Sequence, residues 1–213
     1  MTLGCDIHVH IERKYERDGK VTWYSADHYK YNPYHFMYPE EECERELELV
    51  PVYKRRDYLL FSILCGVRNY TGVEPMDEPR GLPDNVSDVV ATDSEWWGSD
   101  GHSHSWFTVK ELLDYQKNHP YRTYVGMVSP EDQYKLDHNL GTPNEWCQDT
   151  TMPDWAWRSW AVPGCALDDL INSIKTRIYE ELYITPEWWG DEELAKELNK
   201  ECENFRIVFW FDN

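Results

Sequence analysis

The chain has no Cys-x-x-Cys pair: its six cysteines stand alone at positions 5, 43, 65, 147, 165 and 202. That spacing argues against a zinc ribbon. With no signal-peptide pattern ahead of Gly4, it points to reduced thiols and a cytoplasmic location. No apolar run is long enough to span a bilayer, so no membrane partner is expected. A phosphate-binding Gly-Lys-Ser/Thr loop and a Gly-rich dinucleotide turn are both missing. So are internal repeats and linker-like segments, and no serine is marked as the nucleophile of a Ser-His-Asp triad. Cations are scarce as well: 21 Lys and Arg face 40 Asp and Glu, a formal charge of -19. Binding a long phosphate backbone needs clustered Lys and Arg, so long nucleic acid is not an expected partner. A small phosphorylated ligand is compatible with the charge, because screening limits a distant charge beyond ~8–10 Å. One or two local arginines can then dominate a site.

What the chain does have is aromatic and patterned. It carries 11 Trp and 15 Tyr, residues that combine apolar area with a polar tip. Cys5-Asp6-Ile7-His8-Val9-His10-Ile11-Glu12 alternates strictly. Strand side chains alternate faces. A strand over residues 3–14 therefore puts Cys5, Ile7, Val9 and Ile11 on one side and Asp6, His8, His10 and Glu12 on the other. Asp18-Gly19 is a hairpin signal, with a return strand expected over 20–24. Residues 205–211 alternate again. Helices are expected at 56–67 and 87–96 and, from the capping-box pattern Thr108-Val-Lys-Glu111, at 108–117. Others open at Ser129-Pro130-Glu131, run over 166–182, and open at Thr185-Pro186-Glu187. Residues 29–46, 71–83, 100–106 and 141–164 read as irregular or loop segments, with a short strand within 47–53. The expected architecture is one α+β domain over 1–213. In it a small, mainly antiparallel sheet, made of the N-terminal hairpin and the C-terminal strand, packs with several helices and long loops. The helices are expected on the apolar face, leaving His10 and Glu12 as outer or solvated positions.

Three polar clusters can carry chemistry. Asp6, His8 and His10 present a carboxylate and two imidazoles at i, i+2 spacing, a donor set that suits a divalent metal such as Zn, Mn or Mg. Barrel hydrolases use a similar Asp-x-His-x-His, but their repeated strand–helix units are missing here, so only the local chemistry carries over. The second cluster is Asp100-Gly-His102-Ser103-His104-Ser105-Trp106. It offers imidazoles for proton transfer, hydroxyls at Ser103 and Ser105, and an indole at Trp106. The third runs from Glu78 to Ser87. Its Arg80 lies between Pro79 and Gly81 as a candidate anion clamp, with Asp84 and Ser87 as further contacts and Arg68 as a second cation.

Several of these motifs occur together in a known setting. Gly4-Cys5-Asp6-Ile7-His8, Arg56-Asp-Tyr58-Leu-Leu-Phe61, Val67-Arg68-Asn69, Pro79-Arg80-Gly81-Leu82-Pro83 and Asp100-x-His102-Ser103-x-Ser105-Trp106 resemble a family of phage and prophage proteins of no assigned activity. The likeness covers roughly the first 115 residues. It implies a phage origin, and hence the host cytoplasm, and it favours Asp6, His8 and His102 over His10 and His104.

The resulting expectation is a protein acting on a small nucleotide-like phosphorylated molecule. The reaction would be phosphodiesterase-like hydrolysis, with metal assistance an option, to counter host nucleotide immune signalling. Asp6, His8 and His102 are the expected catalytic residues. Arg68, Arg80, Asp84, Ser87, Ser103, Ser105 and Trp106 are the expected ligand contacts, and Asp6, His8 and His10 the candidate metal ligands. Two alternatives stand beside it. One is a binding protein that sequesters a nucleotide signal uncleaved. The other is an acidic protein–protein inhibitor using the Trp-rich segment 141–164. A homo-oligomer is left open.

Overall fold

The computed structural model describes residues 4–38, 45–148 and 152–212. In chain order the elements are β1 (Asp6–Arg17), β2 (Lys20–Ser25), β3 (Tyr29–Tyr31), α1 (Pro33–Met37), β4 (Leu47–Leu49), α2 (Tyr58–Cys65), α3 (Asp88–Trp97), β5 (His102–Thr108) and α4 (Val109–Asn118). They continue with β6 (Tyr121–Val128), α5 (Pro130–Asp137), β7 (Trp146–Cys147), β8 (Ala156–Pro163), α6 (Asp168–Glu181), α7 (Asp191–Glu201) and β9 (Phe205–Asp212). The fold class is α+β. Packing divides the chain into two compact units. The first takes the described residues up to Arg56, Pro79–Leu112, and those from Leu170 onward; the second takes Asp57–Glu78 and Leu113–Asp169. Among the described residues no helix is long and apolar enough to cross a membrane.

The first unit is built on a four-stranded antiparallel sheet in the order β2-β1-β9-β5. The hairpin expected at Asp18-Gly19 is present. Both residues have positive φ (53° and 72°), as a two-residue turn matched to strand twist requires. β1 also pairs with β9, with Asp6 facing Asp212 and Ile11 facing Ile207. One face of this pair carries Ile7, Val9 and Ile11 against Ile207, Phe209 and Phe211, all buried. Each such side chain contributes roughly 1.5–3 kcal/mol by leaving water.

The other face departs from the expectation. Val208 and Trp210 of β9 lie on it and form a second small core with Val90 of α3, flanked by Leu82, Val86, Trp97 and Trp106. A helix therefore covers the face that carries the polar row, and His10 and Glu12 are 1% and 0% exposed rather than solvated. The segment 100–106 is also not a loop. Its residues from His102 onward form edge strand β5, because pairing with β9 outweighs the weak strand preference of His and Ser. The register slips by one residue between His102 and Ser105, where Ser103 takes a positive φ of 52°. Such a bulge sends His102 and His104 to opposite faces of the sheet.

The second unit holds α2, α5 and the three-stranded antiparallel sheet β7-β6-β8. The stretch 141–164 thus contains two strands where a long loop was expected, and residues 149–151 lie outside the described residues. Helix α2 starts at Asp57, whose carboxylate accepts from the N–H groups of Leu59 and Leu60, and ends at Gly66 in the left-handed region. Helix α5 is capped by the Ser129 hydroxyl, as its Ser-Pro start predicts. In the first unit, the predicted capping box at α4 is reciprocal. Glu111 accepts from the Thr108 N–H at 2.7 Å and Thr108 Oγ1 accepts from the Glu111 N–H at 3.2 Å.

Candidate functional site

The polar row of β1 resolves into four different environments. Glu12 is structural. Its Oε2 accepts from Nε and Nη2 of Arg206 at 2.7 and 2.6 Å, and its Oε1 accepts from the Ser87 N–H at 2.7 Å. Arg206 also donates to Asn85 and lies 4.0 Å over the Trp23 ring. Burial pushes its pKa down, against the opposing pull of Glu12. Asp6, at the other end, is half exposed and held by a two-pronged contact from Arg56, Nε at 2.9 Å and Nη2 at 2.5 Å. That hydrogen bond keeps the Asp6 carboxyl below the ordinary range.

His10 sits between two carboxylates. Its Nδ1 is 2.9 Å from Asp27 Oδ2 and its Nε2 is 3.9 Å from Asp93 Oδ2. The Asp27 carboxylate is itself fixed, accepting from the Ile11 N–H at 3.0 Å and the Ser25 hydroxyl at 2.9 Å. A carboxylate offers only acceptors, so the Nδ1 atom of His10 carries a proton and Nε2 is turned toward Asp93. Asp93 accepts from the Tyr29 hydroxyl at 3.1 Å and pairs with Arg45. Burial pushes the Tyr29 phenol up to about 12, so it remains a donor through the neutral range. His10 and Asp93 line a cavity of about 300 Å³, walled further by His8, Arg45, Trp96 and Trp97. The Arg45 guanidinium lies 4.5 Å over the Trp96 ring.

His8, two residues along the same strand face, donates from Nε2 to Asp212 Oδ2 over 3.1 Å and lies against Trp97 with ring centroids 4.0 Å apart and planes tilted by 37°. Burial lowers its pKa; Asp212 and Asp6 oppose that shift and His10 adds to it. His104 reaches the same side of the sheet from β5, with Nε2 2.9 Å from Ser94 Oγ. The Trp210 indole is therefore flanked by three imidazoles, at 5.9 Å from His8, 4.7 Å from His10 and 5.5 Å from His104. Its Nε1 is buried without a hydrogen-bond partner.

The residues expected to act together are spread over several places. Asp6 and His8 adjoin the cleft. His102 lies on the opposite face of the sheet, its ring 6.1 Å from Phe211 and its Nδ1 3.0 Å from Ser103 Oγ. Arg80 does not line the His10 cavity. It donates to Glu111 at 2.8 Å and to the Trp106 carbonyl at 3.1 Å, over the rings of Phe107 and Trp106. Ser105 is buried beneath it, accepting the Arg80 N–H at 3.2 Å. Ser87 gives its N–H to Glu12, Asp84 is exposed, and Trp106 packs at the edge of the second core. Arg68 belongs to the other unit, where Nη1 is 3.5 Å from the Tyr70 hydroxyl. Among the described residues no three His, Cys, Asp or Glu side chains gather as a metal-holding group. Arg45, Asp93, Trp96, Trp97 and Asp212 line the cleft and Asp27 holds His10 from behind; sequence reasoning missed all six.

Asp27 alone had a local signal. The hairpin register, Arg17 facing Lys20 and Glu12 facing Ser25, extends by two residues to set Asp27 opposite His10. Comparison of the chain with protein-family models, with curated proteins and with solved structures gave no match in any of the three.

Proposed function

We propose that the cleft beside His10 binds a small nucleotide-like molecule and that the protein hydrolyses a phosphate ester in it. The observation that carries this reading is His10 itself: an imidazole held by a buried carboxylate at one nitrogen, with the other nitrogen 3.9 Å from Asp93, in the wall of a cavity that both residues line. That arrangement is the one a general base uses. Trp96 and Trp97 supply flat walls for a base, and Arg45 supplies a cation for an anionic group.

His8 and His10 project from the same strand face two residues apart, roughly 6.6–7 Å along the chain. In hydrolysis the water oxygen bonds to phosphorus as its proton passes to His10 Nε2. The ester P–O bond breaks on the far side, and the departing oxygen takes a proton from solvent water. One water is consumed, and His10 returns its proton to solvent. In a phage this activity would remove a host nucleotide signal.

The test is turnover of bis-para-nitrophenyl phosphate and of a nucleotide panel, run with added divalent metal and with chelator. The expected result is product release that disappears in His10→Ala while the circular dichroism spectrum is kept. Absence of both turnover and binding across the panel would overturn the reading. One observation favours binding without cleavage: His10 is only 1% exposed, so its Nε2 can serve as a fixed contact. A ligand recovered intact after heating the protein would select that version.

A further inference from the structure

The cavity next to His10 has a neighbour. A second cavity, of about 380 Å³, is lined by Asp6, His8, Lys54, Trp97 and Asp212 among others. The two share His8, Leu49, Pro51 and Trp97, so the tilted His8–Trp97 contact forms a saddle between two lobes of one cleft.

The lobes repeat each other chemically. Each is lined by an imidazole that a carboxylate holds: His10, held from behind by the buried Asp27, in the first, and His8, held by the lining Asp212, in the second. Each has Trp97 as an indole wall and one lining cation, Arg45 in the first and Lys54 in the second. Lining carboxylates outnumber these cations: Asp93 and Glu48 in the first lobe, Asp6 and Asp212 in the second.

From this repetition we infer that the ligand has two flat rings joined by a short phosphodiester bridge, the dinucleotide class, with one ring in each lobe and the bridge over His8. The inference rests on the reading of the cleft as a nucleotide site. Two like lobes fit a molecule with two like halves, and joining the halves makes the second contact intramolecular. Charge selects the same class. A diester bridge carries one negative charge, whereas a phosphomonoester carries close to two at neutral pH. Among lining carboxylates the singly charged group meets less repulsion.

The experiment is calorimetric titration of the full chain, in chelator, with ApA, GpG, UpU and CpC and with the matching mononucleotides and nucleosides. At least one dinucleoside monophosphate should bind at one per chain, about ten-fold or more tighter than its mononucleotide. Lys54→Glu, at an exposed position, should weaken that dinucleotide several-fold and leave the nucleoside unchanged. Mononucleotides binding as tightly as dinucleotides, or two mononucleotides per chain with no gain on joining them, would overturn the two-lobed ligand and leave the nucleotide reading standing. No binding by any probe would overturn both.

Discussion

His10 and Asp27 face each other across 2.9 Å, with side chains 1% and 0% exposed. Replacing a carboxylate in that position by an amide changes which ring nitrogen carries the proton. Asp27→Asn should therefore cut turnover of the nucleotide probe by about 10²–10⁴, the usual worth of a positioned acid–base group. It should cost about 1–3 kcal/mol of stability, because the amide satisfies His10 and Ser25 less well. Turnover and urea midpoints measured on the same preparation separate the two effects. Unchanged turnover on a cleaved substrate would remove His10 from the chemistry.

The Glu12–Arg206 pair predicts a purely structural phenotype. Removing one member leaves the other charge buried, at about 3–5 kcal/mol. Glu12→Ala should show that loss in denaturant titration. The double change Glu12→Met with Arg206→Met should recover a large part of it, since a matched apolar pair strands no charge. A double variant no more stable than the single one would contradict this account.

Stability should also depend on pH in a definite direction. Burial holds His8 and His104 below the ordinary histidine value of 6.5. The unfolded chain then binds protons that the folded chain refuses. The stability tied to these groups is complete above 6.5 and is lost as the pH falls through the lowered values, each group adding at most about 1.4 kcal/mol per pH unit. Asp132 acts in a separate window. Lys135 and the N–H groups of Asn144 and Glu145 hold it down to about 2, so its contribution fades only between 3.8 and that value. Urea midpoints should be level above neutrality and decline toward roughly pH 5. His8→Gln and His104→Gln should each flatten the decline, and slopes identical to wild type would refute the assignment.

Gly126 makes a prediction for the second unit. A Cβ there would stand 2.8 Å from the Cys147 carbonyl oxygen and 2.8 Å from Trp146 Cε3. Trp146 lies over this glycine, edge-on to Trp160 at 5.4 Å. Gly126→Ala should cost about 1–3 kcal/mol by overpacking and should red-shift the tryptophan emission as Trp146 is displaced. A variant with the wild-type midpoint and spectrum would show that the β7 edge yields freely.

The local grammar of this chain was readable and its long-range geometry was not. Alternation marked β1 and β9, Asp18-Gly19 marked the hairpin, and Thr108 with Glu111 marked a helix start, because each depends on residues a few positions apart. The polar row of β1 looked solvated because alternation says which side chains share a face, not what lies above it. Only Val90, Val208 and Trp210, distant in sequence, make that face a core. Arg80 resembled an anion clamp because nothing near it discloses Glu111. One extra residue at Ser103 reversed the face of His102, and no composition signal marks a bulge there. Asp27 was the readable omission, since two more steps of the hairpin register reach it.

The pairing of β1 with β9 has a consequence for the order of events during folding. Asp6 faces Asp212, so the strand carrying His8 and His10 meets this partner only by closing a loop of about two hundred residues. Until the two strands pair, Ile7, Val9 and Ile11 lack the β9 side chains that face them. Such distant closure is entropically slow. The hairpin of β1 with β2 therefore forms ahead of the β1–β9 ladder, and the histidine end of β1 takes its place in the sheet late.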